Sequence, residues 1–291
     1  MTFSIVIPTY RRSAMLALTL PSYLLAGADE VIVVDDASGL SDADHLAALA
    51  KEHGLRLLRL PVRVGQAAGK NEGAARAAGD WVVFGEDDVW FPPEYAATLI
   101  AHAEDAGAPV ASGAVPLVHP YLLASGLEEI EAAICAATVT RHPMDRFLRS
   151  HWPVERLPSG DVVTPLLAAT AAVHRSVFER VRFDPGYRGN AFREETDFFF
   201  SCVEAGFRTI HCPHAICGHM KVHSRATQGG SWDMSRPRYA AQMFRNNWRF
   251  LRKHEALLRE ARTAVGRPSG PLRMQVEFLQ SMLLQPRSAR A

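Results

Sequence analysis

The sequence of 291 residues has only four cysteines and a formal net charge of +1. So few and so unevenly spaced thiols argue against a disulfide framework and predict reduced cysteines, hence a cytoplasmic protein. The small net charge gives no general attraction to polyanions, so no nucleic-acid partner is expected. No apolar run reaches the ~18 residues of a membrane span, and the first residues lack signal-peptide features. We therefore expect at most peripheral membrane contact.

Short apolar strands and helical patterns alternate along the first part of the chain. The patterns predict strands at 3–7, 31–34, 55–60 and 81–84, separated by helices at 14–26, 42–53 and 66–78. This alternation requires crossover connections, so an α/β fold with a mostly parallel sheet flanked by helices is expected.

The alternation weakens after Gly113, which suggests three segments. Residues 1–113 form one half of a domain and residues 114–225 its second half, while residues 226–291 form a C-terminal helical extension rich in basic residues. In the second half, a strand-like stretch at 162–173 precedes an acidic, Phe-rich helix that begins near Arg193.

Two acidic clusters fall at the carboxyl ends of predicted strands, where parallel sheets bind ligands. The clusters are Asp35-Asp36 and Glu86-Asp87-Asp88. Consecutive carboxylates repel one another unless a cation lies among them, and their hard oxygen ligands suit Mg²⁺ or Mn²⁺. A solvated acidic loop, or an N-cap for a helix that starts near Pro92, explains the second cluster equally well.

Longer motifs connect these clusters to a known family. SIVIPTY (4–10), VIVVDDAS (31–38), GQAAGKNEGAARAAGDWVVF (65–84) and EDD (86–88) follow the order and spacing of the family 2 glycosyltransferases of GT-A fold, which this sequence resembles. The resemblance continues through REETDFFFSCVEAGF (193–207), a downstream His and RNNWRFLRKH (245–254). Residues 114–160 and the C-terminal tail have no clear counterpart.

The resemblance implies a GT-A Rossmann-like sheet and an inverting, metal-dependent sugar transfer. The donor would be a nucleoside diphosphate sugar, most often a UDP-sugar, held by residues 1–113. Residues 114–225 would bind the acceptor, which offers a hydroxyl or amine and is a carbohydrate, a natural product or a lipid-linked molecule. A homo-oligomer is also compatible with the sequence.

The resemblance also implies roles for individual residues. Glu195 would be the catalytic base, in place of the usual Asp, with its pKa raised by burial and by neighbouring acids. Asp88, Glu86 and either His219 or His223 would hold Mn²⁺ or Mg²⁺. Nucleotide contacts are implied for Pro8, Thr9, Tyr10, Arg12, Asp35, Asp36, Gly65, Lys70, Asn71, Glu86 and Asp87. Acceptor contacts are implied for Trp90, Glu194, Asp197 and Trp232.

Three alternatives remain at this level. A nucleotidyltransferase would need a Gly-rich basic phosphate loop near the N-terminus, and PTYRR is a poor match. A catalytically silent protein that binds sugar nucleotides would carry the same motifs. A zinc site at Cys212, His214, Cys217 and His219 would have the right residue types, although the spacing matches no common zinc knuckle.

Overall fold

The computed structural model describes residues 1–118, 160–220, 234–264 and 266–284. The strands are β1 Phe3–Thr9, β2 Glu30–Asp35, β3 Arg56–Arg59, β4 Trp81–Phe84, β5 Val89–Trp90, β6 Val110–Ala114, β7 Leu117–Val118, β8 Val162–Val163, β9 Ala171–His174, β10 Thr209–Ile216 and β11 Gly218–Met220. The helices are α1 Ser13–Leu25, α2 Leu40–His53, α3 Gln66–Ala74, α4 Tyr95–Asp105, α5 Glu194–Glu204, α6 Arg236–Lys253, α7 Glu255–Ala264 and α8 Pro271–Leu284.

The main sheet has the strand order β3-β2-β1-β4-β9-β6-β10-β8. Strands β3, β2, β1 and β4 are parallel neighbours, as are β6 and β10. Strand β9 runs antiparallel to both β4 and β6, and β8 runs antiparallel to β10. The predicted α/β class and mostly parallel sheet are confirmed.

The prediction of one strand-like stretch over 162–173 is wrong. The segment contributes β8 at an edge of the sheet and β9 in its interior. Pro165 lies between the two strands and has no backbone N–H for a ladder, which explains the interruption. The helical pattern at 66–78 also ends earlier than predicted, at Ala74.

Strand β1 forms the centre of the core because β-branched residues cover both of its faces. Ile5, Val6 and Ile7 have no exposed surface. Ile5 and Ile7 join the apolar cluster on one side of the sheet and Val6 joins the cluster on the other. Each such side chain contributes ~1.5–3 kcal/mol by burial, so the short motif anchors the whole sheet.

Helix α3 approaches the sheet closely because it carries glycine on its inner face. A Cβ at Gly73 would lie 2.3 Å from Cγ1 of Val6, closer than any side chain tolerates. The close packing fixes α3 over β1 and β2, and Lys70 on this helix becomes fully buried.

A three-stranded sheet, in the order β5-β11-β7, stands beside the main sheet. Its register pairs His219 with Val89, which brings this histidine next to the EDD motif. Helices α6 to α8 pack on α5 through an apolar cluster that includes Phe200, Phe250 and Leu258. In the described part of the chain, no helix has both the length and the apolar character needed to cross a bilayer.

Candidate functional site

A cleft of ≈1520 Å³ opens at the carboxyl ends of β1, β2 and β4 and extends to α5 and α6. Many of the side chains singled out from the sequence line it together, although they lie far apart in the chain. They are Pro8, Thr9, Tyr10, Arg12, Asp36, Gly65, Glu86, Asp87, Asp88, Glu195 and His219.

The backbone of the EDD motif is held by helix α1. The Tyr23 hydroxyl donates to the carbonyl of Glu86 at 2.7 Å, and Thr19 Oγ1 donates to the carbonyl of Asp87 at 2.9 Å. A Cβ at Gly85 would lie 2.7 Å from Cε1 of Tyr23, so glycine precedes the motif for a steric reason. These contacts aim three carboxylates into the cleft from a rigid backbone.

Arg12 forms ion pairs with two of these carboxylates. Its Nη1 lies 2.7 Å from Asp87 Oδ1, and its Nη2 lies 2.9 Å from Asp88 Oδ2. Thr9 Oγ1 also donates to Asp87, at 2.9 Å, and His219 Nε2 lies 3.3 Å from Asp88 Oδ1. The cations of the chain therefore compensate part of the repulsion among these carboxylates.

The two alternatives for the EDD motif fail on geometry. Asp87 and Asp88 are each 6% exposed, so the motif is no solvated loop. Helix α4 begins at Tyr95 after Glu94, whose side chain makes no capping hydrogen bond. The motif is thus a buried part of the cleft wall.

Burial and the neighbouring charges separate the pKa values of these acids. Burial would raise the pKa of Asp88, but the hydrogen bond from His219 and the charges of His219 and Arg12 lower it to about 2. Burial raises the pKa of Asp87 to about 7, against the charge of Arg12. Burial opposes the charge on His219, but the hydrogen bond to Asp88 and its charge raise the imidazole pKa to about 9. An imidazolium and a carboxylate thus face each other at neutral pH.

Glu86 supports a fit to a divalent cation. Its side chain makes no hydrogen bond or ion pair within the described residues, and burial followed by the charge of Asp88 raises its pKa. Together with Asp88 it offers two carboxylates in the cleft, and His219 beside them can add an imidazole nitrogen once it has lost its proton. This donor set suits Mn²⁺ or Mg²⁺.

Lys70 lies between two glutamates of α5. Its Nζ is 2.7 Å from Glu194 Oε1 and 2.9 Å from Glu195 Oε1, and Gln66 Nε2 donates to the same Glu195 oxygen at 3.2 Å. Lys70 and Glu194 have fully buried side chains, whereas that of Glu195 is 21% exposed and lines the cleft. The prediction that Lys70 contacts the nucleotide is therefore corrected, as is that of an acceptor contact for Glu194.

The charges of this cluster favour an ionised Glu195. Burial raises the pKa of Glu194 well above its usual range, against the charge of Lys70. Burial acts in the same direction on Glu195, but the charge of Lys70 and hydrogen bonds from Glu194 and Lys70 lower its pKa. The expectation that the Glu195 pKa is raised is therefore wrong, because the charge of Lys70 and the hydrogen bonds from Glu194 and Lys70 outweigh burial.

Asp36 organises the other end of the cleft. Its two carboxylate oxygens accept the backbone N–H groups of Val64, at 2.6 Å, and Gly65, at 2.9 Å. Arg63 lies over the Tyr10 ring at 3.9 Å. Asp35 does not line the cleft, because its buried side chain accepts the N–H of Ser38 at 2.9 Å instead.

Three further predicted contacts are corrected by burial or by fixed partners. Asn71 exchanges two hydrogen bonds with the backbone of Phe183, at 2.8 and 3.0 Å. Trp90 is 5% exposed and packs in a small apolar cluster. Asp197 has no exposed surface and accepts hydrogen bonds from Tyr187, Lys253 and His254. Trp232 and His223, also named from the sequence, lie outside the described residues.

The proposed cysteine and histidine zinc set is not assembled. His219 pairs with Asp88, whereas Cys212 lies near His102 and Asp161. The ligand atoms of these last three residues lie within 4.8 Å of one another, but none of the three lines the cleft. His102 and Asp161 are joined by a hydrogen bond of 2.9 Å, and burial raises the pKa of the Cys212 thiol to about 11.

Several cleft residues have no role implied by the sequence motifs. Arg63 lies beside Asp36 and Tyr10, Gln66 lies beside Glu195, and His211 also lines the cleft. Toward the C-terminal helices the cleft is lined by Arg188, Arg238, Gln242 and Arg245. The seven-residue spacing of Arg238 and Arg245 places both on one side of α6, which is a signal that could have identified them.

Comparison with known proteins gives one family and one recurring structure. The family model described as glycosyl transferase family 2 matches residues 4–153, about half of the chain. No curated protein matches the sequence.

Several of the similar solved structures are of S. aureus TarS. The structure of its residues 1-349 superposes with a TM-score of 0.58 at 14% identity, over 99% of this chain and 73% of that chain. The same fragment in complex with UDP-GlcNAc superposes with a TM-score of 0.57 at 13% identity, over 87% of this chain and 66% of that chain. Another TarS structure gives 0.54 at 13% identity, and there this chain spans 39% of the protein's length. At such identities the likeness concerns the fold alone.

Proposed function

Since this chain belongs to glycosyl transferase family 2, we propose that it transfers a sugar from a nucleoside diphosphate sugar to a hydroxyl or amine of an acceptor. We propose a UDP-sugar as the donor. The observation that carries the proposal is that Asp36, the EDD motif and Glu195 line one cleft although they come from different parts of the chain. A UDP-sugar is favoured because TarS, which shares the fold, was crystallised with UDP-GlcNAc.

We place the nucleotide at the end of the cleft that contains Thr9, Asp36 and Gly65. A carboxylate at Asp36 can accept a pyrimidine N–H, and its hydrogen bonds to the loop at Val64 and Gly65 hold it in position. Tyr10 and Arg63 offer a ring and a guanidinium beside it. The diphosphate then lies toward the EDD motif, where Arg12 supplies positive charge.

Asp88, Glu86 and His219 would hold Mn²⁺ or Mg²⁺, which when bound supplies positive charge to the departing diphosphate. Arg12 keeps Asp87 and Asp88 from repelling each other, and Thr9 fixes the orientation of Asp87. The acidic wall is thereby shaped before any ligand arrives, so less reorganisation is needed during transfer.

Glu195 would act as the base. Its carboxylate takes the proton of the acceptor hydroxyl or amine as that atom forms a bond to the anomeric carbon. The bond from this carbon to the diphosphate oxygen breaks on the opposite face, and its electron pair leaves with the diphosphate. Attack opposite to the leaving group inverts the configuration. Lys70 favours the ionised Glu195 that can accept the proton.

A transfer assay with UDP-GlcNAc as the first donor tests the proposal. Thermal shifts with UDP, GDP and dTDP sugars identify the donor, because a ligand at ~100 times its dissociation constant adds ~2.7 kcal/mol of stability. Release of UDP that depends on an added acceptor, with the sugar recovered in the inverted configuration, supports transfer. Binding of donor without any release across a broad acceptor panel would favour a silent sugar-nucleotide-binding protein.

A further inference from the structure

Helix α6 has an unusual distribution of charge for a surface helix. Between Arg236 and Lys253 it contains six basic residues and no acidic residue, although the whole chain has a net charge of only +1. Exposed helices that serve only solubility usually mix both signs, since opposite charges four residues apart stabilise each other. The excess of positive charge is confined to this helix, which suggests that the helix binds a partner of negative charge.

Three of these six cations, Arg249, Arg252 and Lys253, have acidic partners within the protein. Arg249 binds Asp184 with two guanidinium nitrogens, at 2.8 and 3.0 Å, and Lys253 Nζ lies 2.6 Å from Asp197. By contrast, Arg238 and Arg245 are exposed and form no ion pair or hydrogen bond through their side chains in the part of the chain that the structure describes.

The positions of these two arginines connect them with the reaction site. Both line the large cleft, whose wall also contains Glu195. Arg238, Arg245 and Arg252 are spaced by seven residues, so they form one stripe along α6, with ~10 Å between neighbours at a rise of ~1.5 Å per residue. We call these three residues the arginine stripe.

The stripe continues beyond the cleft without interruption. A second groove of ≈540 Å³ is lined by Arg245, Trp248 and Arg252, so Arg245 belongs to both cavities. Arg252 lies over the Trp248 ring at 5.9 Å and is 3.8 Å from Glu255. A long ligand in the cleft therefore has a continuous basic path to follow.

A rigid loop adds a fourth cation to the same end of the cleft. Arg188 also lines the cleft, is exposed and has no side-chain partner among the described residues. Its carbonyl accepts a hydrogen bond from Asn246 at 3.2 Å, and Gln242 accepts the N–H of Asn190 at 2.9 Å. Gly189 adopts a φ of +76°, and a Cβ there would lie 1.3 Å from the Gln242 side chain. The loop is thus fastened to α6 and holds Arg188 beside the stripe.

We propose that the arginine stripe and Arg188 bind the acceptor, and that this acceptor is a chain with repeated negative charges, phosphates or carboxylates. Guanidinium groups bind both kinds of oxyanion with paired hydrogen bonds. A single charged group would need one arginine, whereas the stripe extends for ~21 Å along the helix. This inference rests on the proposed sugar transfer for the identity of the ligand as acceptor, but not for the binding itself.

Binding of labelled inorganic polyphosphate and of polygalacturonate tests the surface directly, and the two probes separate phosphate from carboxylate preference. We expect R238Q/R245Q to lower the affinity for the preferred probe about 10-fold or more and to reduce the salt dependence of binding. R252Q should lower the affinity for long polyphosphate but leave the affinity for tripolyphosphate unchanged, because a short chain does not reach the second groove. UDP affinity should stay the same in every variant.

The matched control is R236Q. Arg236 lies on the same helix and is exposed, but it does not line either cavity. Equal losses in R236Q and in R238Q/R245Q would show diffuse charge attraction and overturn the proposal. Unchanged binding of both polymers with lost binding to phosphatidylglycerol vesicles would overturn it too, in favour of a lipid surface.

The outcome is separable from that of the proposed function. If the stripe variants lose polymer binding but no sugar transfer is found, the anionic surface stands and the transferase proposal fails. If transfer to a neutral acceptor keeps its KM in R238Q/R245Q, the transferase proposal stands and the anionic acceptor is rejected.

Discussion

The Nζ of Lys70 lies 2.9 Å from Oε1 of Glu195, and the lysine is fully buried. This contact joins α3, which packs on β1 and β2, to the first turn of α5. Because the ammonium group lowers the pKa of Glu195, the carboxylate is ionised in the resting protein. A lysine that first looked like a nucleotide contact thus controls the group that we propose as the base.

Replacing Glu195 with Gln should abolish most transfer and spare donor binding. The amide keeps the shape of the side chain but cannot take the acceptor proton, so we expect kcat to fall ~10²–10⁴-fold. The dissociation constant for UDP should change by less than about twofold, which calorimetry can measure. Glu52→Gln, on the exposed surface of α2, is the control. Undiminished transfer by Glu195→Gln would remove Glu195 from the mechanism.

Replacing Lys70 with Met should destabilise the fold because it leaves the carboxylate of Glu195 without its cation. Breaking a buried ion pair typically lowers the free energy of unfolding by ~3–5 kcal/mol. Because Glu195 is partly exposed, we expect the loss in this variant to lie at the lower end of that range. Adding Glu195→Gln should recover part of the loss, and urea unfolding of the four proteins measures the coupling. Strictly additive effects of the two substitutions would contradict the pairing.

Transfer should stop in excess chelator and return on addition of Mn²⁺. We expect Asp88→Asn to raise the Mn²⁺ concentration needed for half-maximal activity about 10-fold or more, because a neutral amide is a weaker ligand for a hard cation. His102→Ala disrupts the other group of metal-binding residue types and should leave the Mn²⁺ requirement unchanged. Full activity in chelator would rule out the metal role of Asp88.

Acid should destabilise the protein partly through Asp197. Burial opposes its charge, but hydrogen bonds from His254 and Lys253 lower its pKa below the ordinary value. A lowered carboxyl pKa stabilises the fold fully above the unfolded value of ~3.9, and this contribution disappears as the pH falls below it toward the folded pKa.

We therefore expect Asp197→Asn to reduce stability by ~3 kcal/mol at pH 7 and by much less at pH 3. Urea unfolding between pH 3 and pH 7 measures the difference. Asp44→Asn, on the exposed face of α2, is the control for the substitution itself. A loss of stability in Asp197→Asn that does not change with pH would show that its partners do not stabilise the charged form.

The local patterns were sufficient for the first part of the fold. Runs such as Phe3–Thr9 are β-branched and apolar on both faces, so burial decides them almost without context. The helices at 14–26 and 42–53 agree with α1 and α2 because their apolar spacing matches a helix packed on one side. Strand β9 could not be predicted in this way, since its antiparallel place between β4 and β6 depends on partners distant in sequence.

For the candidate site too, some features follow from the sequence and others depend on the tertiary structure. The sequence by itself determined that acidic groups end strands β2 and β4, because parallel strands bring their carboxyl ends to one edge of the sheet. Only the tertiary structure decided which side chains are exposed there. Asp36 faces the cleft while Asp35 is buried, and Asp87 pairs with Arg12. The order of the motifs carries no information on which side chains are buried or which charges lie near one another in the cleft. Burial and neighbouring charges set the pKa of each ionisable group, and hence the role that it can take in the reaction.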